Sequence, residues 1–288
     1  MGNRPGRRQG MEDFTLGGKR SPWWAVAFGM IGTSLSGVTF LSVPGWVGDQ
    51  QFGYMQMVLG YLVGYGVILG VLLPLYYRLE LTSIYRFLGD RIGPRAHTTG
   101  SAFFLLSRSI GAAFRLYLVA LVVQETVLPP ATGVWGWLRF SLLIAGILAL
   151  IWAYTRKGGI ATVVWTDTLQ TACMLLAAGT AVALLGQELG LSLMDIPSAV
   201  ADSGHARWWF LDDWGAPNHG VKQFIAGAFI ALCMTGLDQD MMQKNLSCRS
   251  LRDAQLNMAS FSLVLVVVNL LFLGPVSYTH LRAHETRP

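Results

Sequence analysis

The sequence predicts an all-α polytopic membrane protein of about seven transmembrane helices. Three observations carry that expectation. Hydrophobic residues make up 53% of the chain and charged residues 13%, against roughly a quarter charged in soluble domains. The apolar residues come in runs that reach the ~20 residues a bilayer span requires. Lys and Arg also gather in every second connection between those runs, as cytoplasmic loops do.

The spans are expected at 22–47, 52–77, 97–127, 135–154, 159–185, 221–237 and 256–273. Residues 1–21 form a basic arm without the short apolar core and cleavage site of a signal peptide. Ser21 and Pro22 read as a cap and a first-turn proline opening the first span. Basic residues mark the arm (Arg4, Arg7, Arg8, Lys19, Arg20) and the second-to-third connection (Arg78, Arg86, Arg91, Arg95). They recur at Arg156 and Lys157, and again at Lys244, Arg249 and Arg252. The alternate connections hold Asp49, Glu125, Glu188, Asp195, Asp202, Asp212 and Asp213 instead. This alternation places the N-terminus in the cytoplasm; the expected location is the cell's inner (plasma) membrane. The net charge of +5 therefore marks topology, and no nucleic-acid partner is expected. The fifth-to-sixth loop lies outside, and its Trp208, Trp209 and Trp214 form either a membrane-interface belt or an external lid.

Catalytic chemistry finds no support. Cys173, Cys233 and Cys248 show no paired spacing, and the histidines form no metal-binding array. Phosphate-binding loops and nucleophile elbows are missing as well. The expectation is a protein that is not an enzyme and needs no cofactor.

Two spans carry signs of interruption. The first piles small and hydroxyl residues at Gly32-Thr33-Ser34-Leu35-Ser36-Gly37, and the sixth has Thr235-Gly236 before Asp238. Interrupted segments at matching positions of two halves point to the binding site of a secondary transporter. Here the first and sixth spans would each begin a five-helix repeat. Charge inside spans is scarce. Arg108 and Arg115 lie seven apart, on one face of the third span. Arg108 either snorkels or pairs with a carboxylate. Arg115, ~27 Å along an ideal helix from His97, either faces a central cavity and attracts an anionic solute or pairs with Asp167 or Glu125. Asp167 sits ~12 Å beyond Gly159, where an ionised carboxylate must meet a cation, a base, water or a proton. Thr162, Thr166 and Gln170 extend a polar stripe past it.

Three ordered motifs resemble the sodium:solute symporter family. EDFTLGGKRSPWWAV is similar to the approach to its first core helix, GGIATVVWTDTLQ to its Trp-Thr-Asp signature, and GLDQDMMQKNLSCRSLRDAQ to the close of its sixth core helix. The resemblance implies a leucine-transporter-type inverted-repeat fold that imports a small organic solute, with sodium as the coupling ion. It implies that backbone carbonyls of Gly32 and Leu35 bind sodium. Ser34 stands where a proline-transporting relative has an Asp, and offers a hydroxyl instead. Asp167 would lie on the path of sodium to the cytoplasm. Ser36, Thr39, Arg115, Met234 and Thr235 are the candidate solute contacts. The run Ala231 to Gly236 departs from the Asn-x-x-Tyr-Trp-Gly of sugar-transporting relatives, which argues against a sugar. A proton-coupled carrier and a transporter-like sensor remain alternatives. The resemblance also implies that residues 22–275 are a partial core, the first repeat and the start of the second. The polar residues 276–288 (VSYTHLRAHETRP) look like translated adapter sequence, expected to lie outside the fold.

Overall fold

The computed structural model describes residues 17–35, 50–81, 83–127, 133–188 and 207–285, and those residues are helical, with no strand among them. After a 3-10 turn at Gly17–Lys19, helix α1 spans Trp23–Ser34. Pro22 is its N-cap, extended at ψ 134°. Ser21 is therefore not the cap: its N–H bonds the carbonyl of Ser247 at 3.2 Å, tying the start of α1 to the residue that ends α7. Helix α2 runs Tyr54–Arg78 and contains a π-helical turn at Ile68–Leu72. Pro74 lies directly beyond that turn and has no N–H to give the preceding one, so the helix widens where a donor is lost. Helix α3, Ile84–Arg91, starts at Ser83, whose hydroxyl accepts from Tyr85 N–H at 3.1 Å. The remaining elements are α4 (Pro94–Thr126), α5 (Gly133–Glu188), α6 (Gly220–Gly236), α7 (Gln239–Leu246) and α8 (Leu251–Glu285).

Five segments are long and apolar enough to cross a membrane, six if α6 and α7, bent by 65° at their break, form one span. They fall on the second to seventh expected spans; of the first, the described residues reach Leu35. The protein is thus an all-α, multi-pass membrane protein. One expectation is corrected. The fourth and fifth spans are not separated by a loop at Arg156 and Lys157: helical backbone continues through them, making α5 56 residues long. The charges and glycines at 156–159 signal a membrane boundary, but the run has no proline, and charge alone does not end a helix. At the other end, helical backbone in α8 continues past Val276 to Glu285.

The core is built where α1, α2, α6 and α8 meet. Met30, Ile31, Tyr65, Met258 and Phe261 are buried there, with Tyr65 edge-on to Phe261 at 5.2 Å. The contact between α2 and α6 depends on glycine. A Cβ at Gly60 would overlap the carbonyl oxygen of Phe224, one at Gly64 that of Ala228, and one at Gly227 that of Met57. Small residues are what let membrane helices approach this closely. Outside this core, α4 and the first half of α5 present Phe103, Phe114, Trp137 and Leu150 outward, as lipid-facing helices do.

Near the start of α6, the buried side chain of Gln56 donates to the carbonyls of Gly53 (3.0 Å) and Asn218 (3.2 Å) and accepts from Phe210 N–H (2.9 Å). Trp208 stacks on Phe52 at 6.2 Å, and Trp209 lies 6.4 Å from Phe224. These two tryptophans pack across the adjoining ends of α2 and α6, while Trp214 stays 64% exposed.

Two measurements test this packing. Gly227→Val forces a side chain into the backbone of α2 and is expected to cost at least the ~1–3 kcal/mol of core overpacking, read as a lowered melting temperature in detergent. Burial, with Asp253 adding to it, pushes the Cys248 thiol up to about 12. It therefore stays protonated throughout the range where free thiols near 8.5 ionise. Maleimide at about pH 8 should leave Cys248 unlabelled until the protein is denatured.

Candidate functional site

Two helix interruptions define the site. Helix α1 stops at Ser34 because Leu35 turns to φ −95°, ψ 89°, its N–H making the last helical bond, 2.8 Å, to Ile31. A helix ending there leaves the carbonyls of Gly32, Thr33 and Ser34 without donors from within it, and gathers the negative end of its dipole at that point. Helix α6 widens into a π-helical turn at Leu232–Gly236, breaks, and resumes as α7 with the axis turned by 65°. Asp238 holds the restart, accepting from Met241 N–H at 3.1 Å. Its other carboxylate oxygen pairs with Arg108 of α4, so Arg108 does pair with an acid.

Behind the end of α1, Asp167 of α5 meets Lys244 of α7 at 2.6 Å. The Thr33 hydroxyl lies 3.1 Å from the same carboxylate oxygen and accepts from Lys244 at 2.8 Å. Lys244 is nearly sealed, its side chain 4% exposed against 19% for Asp167, and it also lies 3.8 Å from Asp240. The cation that the buried carboxylate requires is thus a lysine of the chain itself. Sequence reading counted Lys244 only among the basic residues between the sixth and seventh spans and did not give it this buried partner. The available signal was its place four residues after Asp240, among Met241, Met242 and Leu246 in the short helix beyond the break.

The polar face of α5 also differs from expectation. Gln170 is exposed, and Thr166 bonds its own helix at the carbonyl of Val163. The residues that face α1 are Asp167, Thr168 and Thr171. Thr168 donates to the carbonyl of Ala25 at 3.1 Å, and the Thr171 hydroxyl fills the place a Cβ would take on Gly32. A Cβ on Gly29 would stand 3.2 Å from that of Asp167. The two glycines one turn apart therefore serve close packing, and Gly32 lies inside the helix that was expected to be interrupted there.

In front of Thr33 lies a cavity of about 170 Å³, bounded by the end of α1 and by α2, α4, α6, α7 and α8. Ser34, Leu35, Arg115, Met234 and Thr235 all line it, as do Arg108 and Asp240. Ser36 and Thr39 lie outside the described residues. Arg115 makes no ion pair among the described residues; Asp167, one of its two expected partners, is held by Lys244. Tyr54 and Tyr61 bring their hydroxyls within 3.5 Å of each other on the α2 wall. A larger groove, about 780 Å³, shares Arg108, Arg115, Met234 and Asp240 with the cavity and extends along α4 to Tyr85 on α3. The cavity wall includes polar residues that sequence reading passed over: Tyr54, Tyr61 and Tyr65 of α2, Asp240 of α7, and Asn269 of α8. For Asn269 the signal was plain: a lone amide in the run LVLVVVNLLFL.

The model of the sodium:solute symporter family matches residues 14–280. The chain is 28% identical over 256 residues to the human sodium/iodide cotransporter, covering 87% of this chain and 38% of that protein. It is 25% identical over 256 residues to human sodium-coupled monocarboxylate transporter 1, covering 88% and 40%. The chain spans about two fifths of the length of these curated relatives. In fold it is similar to a sodium-coupled sialic acid symporter solved in a substrate-bound outward-open state. The TM-score is 0.77 at 20% identity, over 98% of this chain and 59% of that one.

Breaking one partner of a buried ion pair typically costs ~3–5 kcal/mol, whereas replacing both is much less harmful. Lys244→Met is therefore expected to lower stability by about that much in denaturant melts. The double variant Asp167→Asn/Lys244→Met should regain at least half of the loss. A single variant as stable as the parent would mean that the pair is not the contact that holds α7.

Proposed function

The chain belongs to the sodium:solute symporter family, a family of transporters and not of enzymes, and from that premise we propose that it is the core of a sodium-coupled symporter importing a small organic anion. The observation that carries this reading is the meeting of two helix interruptions, at Ser34–Leu35 and Gly236–Asp238, on either side of one polar cavity. Helix ends facing a cavity at membrane depth are how transporters bind ions and charged solutes without water. Oxygens at the C-terminal end of α1 suit sodium, the carbonyls of Gly32 and Leu35 and the hydroxyl of Ser34 among them. Sodium is cargo here, and linkage explains its coupling: an ion that favours the state open to one side raises solute affinity there, and the solute raises ion affinity equally.

Arg115 is the group that favours an anion. It reaches the cavity without a carboxylate partner among the described residues, whereas Arg108 is neutralised by Asp238. Iodide and monocarboxylates, the cargo named for the two relatives, are anions too. Ser36, Thr39, Met234 and Thr235 complete the proposed solute contacts. The groove along α4 toward Tyr85 is the proposed route to the cytoplasmic face, a side read from the basic residues Arg78, Arg86, Arg91 and Arg95 between the end of α2 and the start of α4. On that side Asp167 accepts sodium leaving the site. Because Lys244 holds the same oxygen, ion and ammonium exchange places there, and departure is coupled to movement of α7.

Uptake by the full-length protein in proteoliposomes tests these roles. Asp167→Asn is expected to raise the half-saturating sodium concentration by at least ~10-fold while solute affinity at saturating sodium changes less than about threefold. Arg115→Gln should reverse that pattern. Normal sodium dependence in Asp167→Asn would make the carboxylate structural, and sodium-independent, pH-driven uptake would replace sodium by protons.

A further inference from the structure

The far end of α4 carries a carboxylate that the solute cavity does not use. Glu125 stands one residue before the end of that helix and makes no ion pair among the described residues. Arg115, its other expected partner, is ten residues and ~15 Å away along the helix, and lines the solute cavity. Glu125 lines a separate pocket of about 240 Å³, where the last turns of α4 face the first turns of α5. Tyr117 and Phe140 join the two walls, edge to face at 5.7 Å. Trp137 stands on the α5 wall, 75% exposed, and the glycines at 133 and 136 put no side chain beside it. Arg139, one residue before Phe140, does not line the pocket.

Each of these groups favours positive charge. Aromatic rings attract a cation to their faces. The carboxylate adds a full negative charge, and the C-terminal end of α4 adds the negative end of its dipole. A divalent metal would need six or more oxygen ligands, and one carboxylate among rings does not offer them. An organic ammonium fits both halves of the pocket, its charge toward Glu125 and its methyl or methylene groups against the rings. The level in the membrane agrees. At 33 residues, α4 is ~50 Å long, whereas the hydrocarbon core is ~30 Å thick. A helix that starts among basic residues on one surface therefore ends at the headgroups of the other, where exposed Trp135 and Trp137 also suit the interface. We propose that this pocket binds an organic ammonium, the ethanolamine or choline head of an outer-leaflet phospholipid or the free cation, with Glu125 as its counter-charge and Trp137 as its principal ring.

The test places the full-length protein in nanodiscs that mix phosphatidylglycerol with phosphatidylethanolamine or phosphatidylcholine of the same acyl chains. Native mass spectrometry then counts the lipids retained after extraction. The parent should hold the ammonium lipids over phosphatidylglycerol by ~5-fold or more, about the factor that one cation–π contact supplies. Glu125→Gln and Trp137→Leu should each bring that ratio close to one, and Trp137→Phe, which returns a ring, should restore part of it. Both side chains are exposed, so the variants should melt with the parent in discs of phosphatidylglycerol alone; if one does not fold, the other decides. Free choline and ethanolamine, titrated into those same discs and followed by melting temperature, separate the two sources. Saturable stabilisation that Glu125→Gln abolishes assigns the pocket to the free cation, and lipid preference without it assigns the pocket to the headgroup. Equal retention of all lipids with no response to the free cations overturns the proposal. So does any preference that survives in both Glu125→Gln and Trp137→Leu.

Discussion

A carboxylate inside a bilayer must be answered by positive charge, and in this protein the answer is Lys244. The contact between Asp167 and Lys244 joins three elements at once. Asp167 belongs to α5 and Lys244 to the short helix beyond the break. Thr33, touching both, belongs to the last turn of α1. None of the three elements could shift far without exposing a charge to an apolar environment. The end of α1 and the restart of the sixth span are therefore held in register by an electrostatic requirement, and the cavity in front of them takes its shape from that register. A second charge pair, Arg108 with Asp238, does the same for α4.

Around these pairs, the helices come close through the removal of side chains. Gly29 and Gly32 let α5 lie against α1, and Gly60, Gly64 and Gly227 let α2 lie against α6. Apolar side chains have little reason to leave lipid for one another, so close backbone approach and polar contacts must supply the association. The same glycine in the first span thus admits two accounts from sequence. Gly32 could weaken a helix or allow a neighbour in, and the position of the Thr171 hydroxyl shows that it does the second.

Much of this was legible in the sequence because the bilayer leaves few options. Runs of ~20 apolar residues have to be helices, and the basic connections sort them by side. The break at Gly236–Asp238 was legible from glycine followed by a capping acid. The cost of Asp167 was legible too, but not what met it. Lys244 stood among the boundary charges, and its burial depends on how far α7 tips back into the protein after a 65° turn, which no local pattern encodes. The polar stripe on α5 was misjudged for a related reason. Thr162, Thr166 and Gln170 fit helical spacing as well as Asp167, Thr168 and Thr171 do, and which face counts was decided by the glycines of another helix. The continuous α5 shows the limit of charge as a guide, since it locates a membrane surface without saying whether the backbone turns there.

The two π-helical turns, Ile68–Leu72 in α2 and Leu232–Gly236 in α6, lie against each other, with Gly236 facing the side chains of Ile68 and Leu72. On one side of this level, α2 and α6 are locked by glycine contacts; on the other stand Arg78, Asp238 and the tilted α7. A wide turn holds one residue more than an ordinary helix needs. Each helix thus loosens at the same height, between the half of the α2–α6 pair closed by glycine contacts and the half that leads to Asp238 and α7. The two faults in regular winding sit side by side where the cavity begins.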